Sequence, residues 1–270
     1  MNKNVRFPTL MPMFIDSHAH LTGHTVIDHV EEMLERAQQH QVKAIVNICT
    51  DQHSLDKGIA LAKRHRWIFN AAAATPHDVV KIGEAFFPIV AGHARDGGLI
   101  AIGETGLDYH YEHSPKELQQ EHLVKYLELA VETKLPVVFH CRDAFEDLFD
   151  ISSGKDFAAV LHCFTGTLEE AKGCLERGWM VSISGIVTFK NSVALRDVAK
   201  YIPLDRLLIE TDTPYLAPQS RRGKMNEPGY VVETAQVIAD VKGLSLEEVG
   251  MATSRNAAQL FSFPKHIIDV

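Results

Sequence analysis

Eight short apolar runs alternate along this chain with segments whose apolar residues recur at helical spacing. The first run lies within Met13 to Leu21, and the others are Val42 to Ile48, Trp67 to Ala73, Leu99 to Gly103, Pro136 to Phe139, Phe157 to Leu161, Trp179 to Ile183 and Arg206 to Ile209. Strands this continuously apolar must be covered on both faces, which is the mark of a parallel sheet flanked by helices. Eight such units within 270 residues suit one α/β domain better than two, and a (β/α)8 TIM-like barrel is the economical architecture. The barrel is expected over residues 13–263, after an unstructured extension at 1–12 and before a short tail at 264–270.

Local signals place the helices. Thr25 with Asp28 reads as a capping box ahead of Val30, Met33, Leu34 and Ala37. Residues 53 to 65 read as a second helix. Ser114, Pro115 and Glu117 supply an N-cap, a first-turn proline and a capping glutamate for a helix reaching about Lys134. Thr167 with Glu170, and Ser245 with Glu248, are further boxes. The stretch Thr105 to Ser114 reads as a long loop.

Composition narrows the function classes. Hydrophobic residues make up 46% and charged residues 23%, ordinary for a globular protein with a sizeable core. A net charge of -8 argues against a protein that coats duplex nucleic acid, although an enzyme taking one strand end into a pocket is still allowed. The four cysteines show no C-x-x-C spacing, so reduced thiols and a cytoplasmic location are expected. No apolar run reaches membrane-spanning length, and no signal peptide is recognisable.

The chemistry lies at the strand ends. His18 and His20 alternate with Ala19 and so share one face of the first strand. Glu104, His140, His162 and Asp212 each stand at or just past the end of another strand. In a barrel those ends converge on one face. Four imidazoles and two carboxylates are too many for a single tetrahedral ion that keeps a position open, and they suit two divalent ions bridged by a carboxylate. Donors of this kind favour zinc or manganese, whereas magnesium prefers oxygen. Arg142, two residues past His140, is expected to hold a phosphate oxygen. The run Arg221, Arg222 and Lys224 follows the eighth strand, where barrels often bind phosphate. Cys141 and Cys163 are expected to face away from the site, and the histidines outside it, such as His29, His40 and His65, to face solvent.

Together the motifs FIDSHAHL, AIGETGLDYHY, LPVVFHCRDA, LHCFTGTLEEA, SISGIVTFKNS, IPLDRLLIETDTPYLAP, RRGKMNEPGYV and SRNAAQLF resemble the TatD family of metal-dependent deoxyribonucleases over residues 13 to 262. The resemblance implies divalent-metal hydrolysis of DNA phosphodiesters, supported by magnesium, typically from the 3′ end of single-stranded DNA. It also implies that His18, His20 and Asp212 hold one ion and His140 and His162 the other, with Glu104 between them. Asp212 would also orient or deprotonate the attacking water. Where the family usually reads Gly-x-His-Pro-His, this chain has Ala73-Ala74-Thr75-Pro76-His77, so His77 is kept for a phosphate or water contact and Thr75 replaces the other histidine.

Two rival readings stand beside this one. An amidohydrolase-like enzyme could cleave an ester or amide, an aminoacyl-RNA ester among them, on the same scaffold. A non-catalytic metal-binding protein would instead show a closed, fully ligated ion. Single-stranded DNA or DNA ends are the expected partners, with no membrane and no obligate protein partner.

Overall fold

The chain was described from a computed structural model, which covers residues 12–111 and 113–267. Most of the expected N-terminal extension, residues 1–11, lies outside the described residues. Eight parallel strands form one sheet in sequence order: β1 Phe14–Ala19, β2 Val42–Cys49, β3 Ile68–Ala72, β4 Ala101–Asp108, β5 Val137–Arg142, β6 Ala159–Leu161, β7 Met180–Ile183 and β8 Leu207–Ile209. A bridge between Ala19 and Thr213 joins the last strand region to the first and closes the barrel. The helices are α1 Val30–Gln39, α2 Gln52–Arg64, α3 Val79–Arg95, α4 Lys116–Thr133, α5 Phe145–Ser152, α6 Leu168–Glu176, α7 Val193–Tyr201, α8 Val231–Lys242 and α9 Leu246–Leu260. Among the described residues no helix is long and apolar enough to cross a membrane.

Strand alternation divides the core in two. Phe14, Ile45, Ile102, Phe139, Leu161 and Val181 point outward and pack under the helices. Ile15, Val46, Ile48, Val138, Val160 and Leu208 point inward and fill the lumen. Phe261, Phe263 and Ile267 plug the lumen's lower end, where Phe263 stacks on Phe69 at 4.5 Å. Ile267 lies past the expected end of the barrel yet is buried, because this floor needs an apolar cover.

Three local expectations are corrected. Thr25 and Asp28 make no capping box: residues Ile27–His29 form a 3₁₀ turn and α1 begins at Val30 without a side-chain cap. Buried Val26 and backbone bonds to the Gly23 carbonyl fix that turn instead. Ser114 does not cap α4, which starts after Pro115. Its hydroxyl donates to the His77 carbonyl at 3.0 Å and faces the Val80 N–H at 3.3 Å, satisfying backbone groups of a distant loop. The boxes at α6 and α9 form as expected.

The third correction shapes the site. β4 does not stop at Gly103 but runs on to Asp108, and its pairing with β5 shifts between Gly103 and Thr105, so that Glu104 is the extra, bulged residue. Gly103 and Gly106 have φ of 156° and 144°, and a Cβ at Gly106 would collide with the His140 carbonyl oxygen. These glycines therefore let β4 lie hard against β5 on either side of Glu104.

Candidate metal centre

Plain alternation delivers two of the ligating candidates. Val138 and Val160 face the lumen, and two residues on, His140 and His162 face the same axis above them. The other four need a break in phase. A register shift between Asp16 and Ala19 turns β1 about His18, the bulge turns Glu104, and Asp212 sits in a left-handed conformation with φ of 61°. The seam of the barrel runs through these residues: the Asp212 N–H donates to the His18 carbonyl at 2.9 Å, and the His20 N–H to the Thr213 carbonyl at 2.7 Å.

The six side chains meet around Glu104. Its Oε1 lies 3.1 Å from His140 Nδ1 and 3.0 Å from His162 Nε2. Its Oε2 lies 3.5 Å from His18 Nε2 and 3.6 Å from His20 Nε2. Asp212 Oδ1 is 3.6 and 3.5 Å from the same two imidazoles. One carboxylate thus spans two histidine pairs, and a second carboxylate completes only one of them.

The donor set fits cations. His18 Nε2 faces His20 Nε2 at 3.2 Å and His140 Nδ1 faces His162 Nε2 at 3.4 Å, so the ring nitrogens of each pair converge on one point beside a carboxylate, as ligands of a shared ion would. Asp212 Oδ1 is buried without a hydrogen-bond partner. Burial and the neighbouring His162 push His18 down to about 4, leaving it neutral and able to donate a lone pair. Burial opposes charge on His162, but Glu104 and Glu210 hold its pKa well above the usual imidazole range. Burial likewise opposes the Glu104 anion, yet His162 and His140 keep its carboxyl well below the usual range. Without an ion the centre holds protons where an ion would hold them off, which ties ion binding to proton release.

Carboxylates behind the histidines orient them. Asp108 Oδ2 meets His140 Nε2 at 2.9 Å, which puts the proton on Nε2 and frees Nδ1 for a ligand. Burial would raise the Asp108 pKa, but His140 and the Tyr111 N–H bring it down to about 2. Glu210 Oε1 lies 3.3 Å from His162 Nδ1 and accepts the Cys163 N–H at 2.7 Å. Asp16 accepts from the Thr211 N–H and hydroxyl at 2.9 and 2.6 Å behind the seam, and burial lifts its pKa to about 8. The sequence alone gives none of these three a ligand's place at a strand end, and Asp108 reads there as part of the long loop after Glu104. An acidic residue two places before a ligand, as in Asp16-x-His18 and Glu210-x-Asp212, was the available signal.

The centre opens into a cavity of about 710 Å³ whose lining includes His20, Glu104, His140, His162 and Asp212. Thr75, His77 and Arg142 line it too, and His77 Nε2 is 3.6 Å from Asp108 Oδ2. Tyr111 and Tyr215, 52% and 59% exposed, present rings at its mouth after β4 and β8, on opposite sides of an eight-stranded barrel. Arg221, Arg222 and Lys224 are not among the lining residues. Arg221 instead lies over Tyr230 at 5.0 Å and Arg222 over Phe189 at 4.1 Å.

Two expectations about non-ligands fail. Cys163 does line the cavity, because its own backbone takes a φ of 44° just past His162, ending the alternation that would have turned it outward. Cys141 packs against the outer core and also contributes to the cavity wall. His122, expected in solvent, is 1% exposed, its ring filling the space where Gly83 of α3 has no side chain. His29 and His40 are exposed as expected.

Two histidine pairs with a carboxylate between them at the C-terminal mouth of a (β/α)8 barrel form a donor set able to hold metal, as a metal-dependent hydrolase requires. The chain belongs to the family described as TatD related DNase, whose sequence pattern matches residues 15–262. It is 39% identical to the uncharacterized metal-dependent hydrolase YabD of Bacillus subtilis, over 92% of this chain and 99% of that one. It is 34% identical to the 3′-5′ ssDNA/RNA exonuclease TatD of Citrobacter rodentium, over 91% of this chain and 97% of that one. Among solved structures it superposes on the TatD homolog YJJV of Escherichia coli with a TM-score of 0.87 at 27% identity, covering 93% and 98% of the two chains.

Proposed function

We propose that this protein is a two-ion phosphodiesterase that removes nucleotides from the 3′ end of single-stranded DNA. The observation that carries the reading is Glu104, one carboxylate oxygen of which faces each histidine pair. His18, His20 and Asp212 would hold one divalent ion and His140 and His162 the other. Bound there, such ions supply Lewis acidity to a phosphodiester and neutralise charge on the attacking and leaving oxygens. Magnesium is proposed as the working ion and zinc or manganese as the tighter-bound ones.

The chain's own groups do the rest. Asp212 lines the cavity, and its carboxylate accepts the proton of the attacking water. Arg142, stacked at 4.8 Å over Tyr111, holds a non-bridging phosphate oxygen, and His77 contacts the phosphate from the β3 side. Tyr111 and Tyr215 offer faces on which an unpaired base stacks, which favours single strands and frayed ends over duplex. Arg221, Arg222 and Lys224 act at most on the strand beyond the cavity. The four free cysteines suit a reducing compartment, and the cytoplasm is the proposed location.

The deciding experiment incubates purified protein and each ion with 3′- and 5′-labelled single-stranded DNA, beside an aminoacyl-RNA ester. Stepwise loss of the 3′ label supports the proposal. Turnover of the ester alone assigns the centre to the rival ester hydrolase, and no turnover of either substrate favours the non-catalytic reading.

A further inference from the structure

A second hollow of about 760 Å³ opens beside the metal-centre cavity, and the two share Cys141, Arg142 and Thr165 as a common wall. Both volumes fall in the range of sites that enclose a nucleotide-sized ligand. The second hollow contains none of the six ligating candidates. Phe145, Leu168 and Val198 give it an apolar wall, and Asp143, Glu170 and Asp197 give it carboxylates. Asp143 is taken up by His110 at 3.1 Å and Glu170 by the Thr167 cap. Asp197 has no side-chain partner among the described residues.

Charge decides what such a hollow can take. Carboxylates repel phosphate but accept N–H donors, and the apolar wall suits a flat aromatic ring. A nucleobase offers both an apolar face and N–H groups, so the hollow matches the base of a strand and not its backbone. Arg142 stands at the divide with its guanidinium over Tyr111 and no carboxylate partner among the described residues. A phosphate joining two nucleosides, one on each side of that wall, would meet Arg142, which lines both chambers.

Resting on the phosphodiesterase reading above, we infer that this hollow is a subsite for the nucleoside next to the scissile phosphate. Its base lies against Phe145 and Leu168 and donates to Asp197. The protein is thereby built for a strand at least two nucleotides long and not for an isolated phosphate ester.

Ala194, exposed near the start of α7, lines the hollow and touches nothing at the metal centre, so Ala194→Trp fills the subsite from its rim. The metal-loaded variant is compared with the unaltered protein on a hexadeoxynucleotide and on bis(p-nitrophenyl) phosphate. Loss of one base contact should lower kcat/KM on the hexanucleotide on the order of tenfold and leave the small diester within about twofold. Asp197→Ala should give a smaller loss, roughly threefold, on the hexanucleotide alone. An equal loss on both substrates, or none on the hexanucleotide, overturns the subsite. If no diester is cleaved with any ion, the phosphodiesterase reading falls. Binding of a fluorescein-labelled hexanucleotide to the chelated protein then decides the subsite independently: weaker binding in Ala194→Trp upholds it, and equal binding overturns it.

Discussion

A step of two positions leads from Val138 to His140 and from Val160 to His162, and it carries each strand from the apolar floor of the lumen to the candidate metal centre. At the floor every side chain finds apolar neighbours, with Phe261, Phe263 and Ile267 closing the lower end. At the mouth, His18 Nδ1 and Asp212 Oδ1 are buried without hydrogen-bond partners. Buried polar atoms left unpaired cost stability, and such costs are tolerated where a site needs them. One set of strands therefore divides its labour by height, stability below and reactivity above.

Breaking the upper end should have the largest effect on turnover. Glu104→Ala, His140→Ala and Asp212→Ala are each expected to stay folded by circular dichroism and to lose activity by on the order of a hundredfold or more. Near-normal turnover in any of them would remove the two-ion centre. Chelation tests the same end without mutation: activity should vanish and return with added magnesium, while zinc or manganese is the ion found in the untreated protein. Full activity of the chelated protein would rule the centre out.

The lower end should respond in the opposite way. Phe263→Ala is expected to cost about 3–5 kcal/mol in urea unfolding, with kcat/KM of the folded protein within about twofold. A large catalytic loss at unchanged stability would show that floor and mouth are not separable. A finer comparison sets Arg142 against the outer basic run. Arg142→Ala should raise KM for single-stranded DNA roughly tenfold and reduce the salt slope by about one. The triple change of Arg221, Arg222 and Lys224 to alanine should alter KM by less than about threefold, since two of these side chains already lie on aromatic rings away from the cavity. An effect larger than that of Arg142→Ala would move the strand's path onto the loop after β8.

What could be read in the sequence follows the same vertical logic. His140 and His162 continue a period of two, so strand assignment alone points them inward. Glu104 could be placed at a strand end but not aimed, because its direction comes from a bulge between two glycines whose close approach to β5 is a tertiary fact. Asp108, which the sequence places in a loop where packing and substrate stacking explain it equally well, and Glu210 are illegible for a related reason: their contacts are to His140 and His162, 32 and 48 residues away in sequence. Helix α3 went unread because Gly83 and Pro88 interrupt its pattern. Both are tolerated there, Gly83 because the buried ring of His122 occupies the room.

The seam between Ala19 and Thr213 has a consequence for the order in which the protein can assemble during synthesis. Glu104, His140 and His162 come from consecutive strands β4 to β6 and can gather as soon as those have emerged. His18 and His20 must wait through nearly two hundred residues for Asp212, whose own backbone makes the closing bond to His18. Contacts that distant in sequence form late. A growing chain therefore carries His18 and His20 without Asp212 for most of its elongation, and the six candidate ligands are brought together only when its last strand docks against its first.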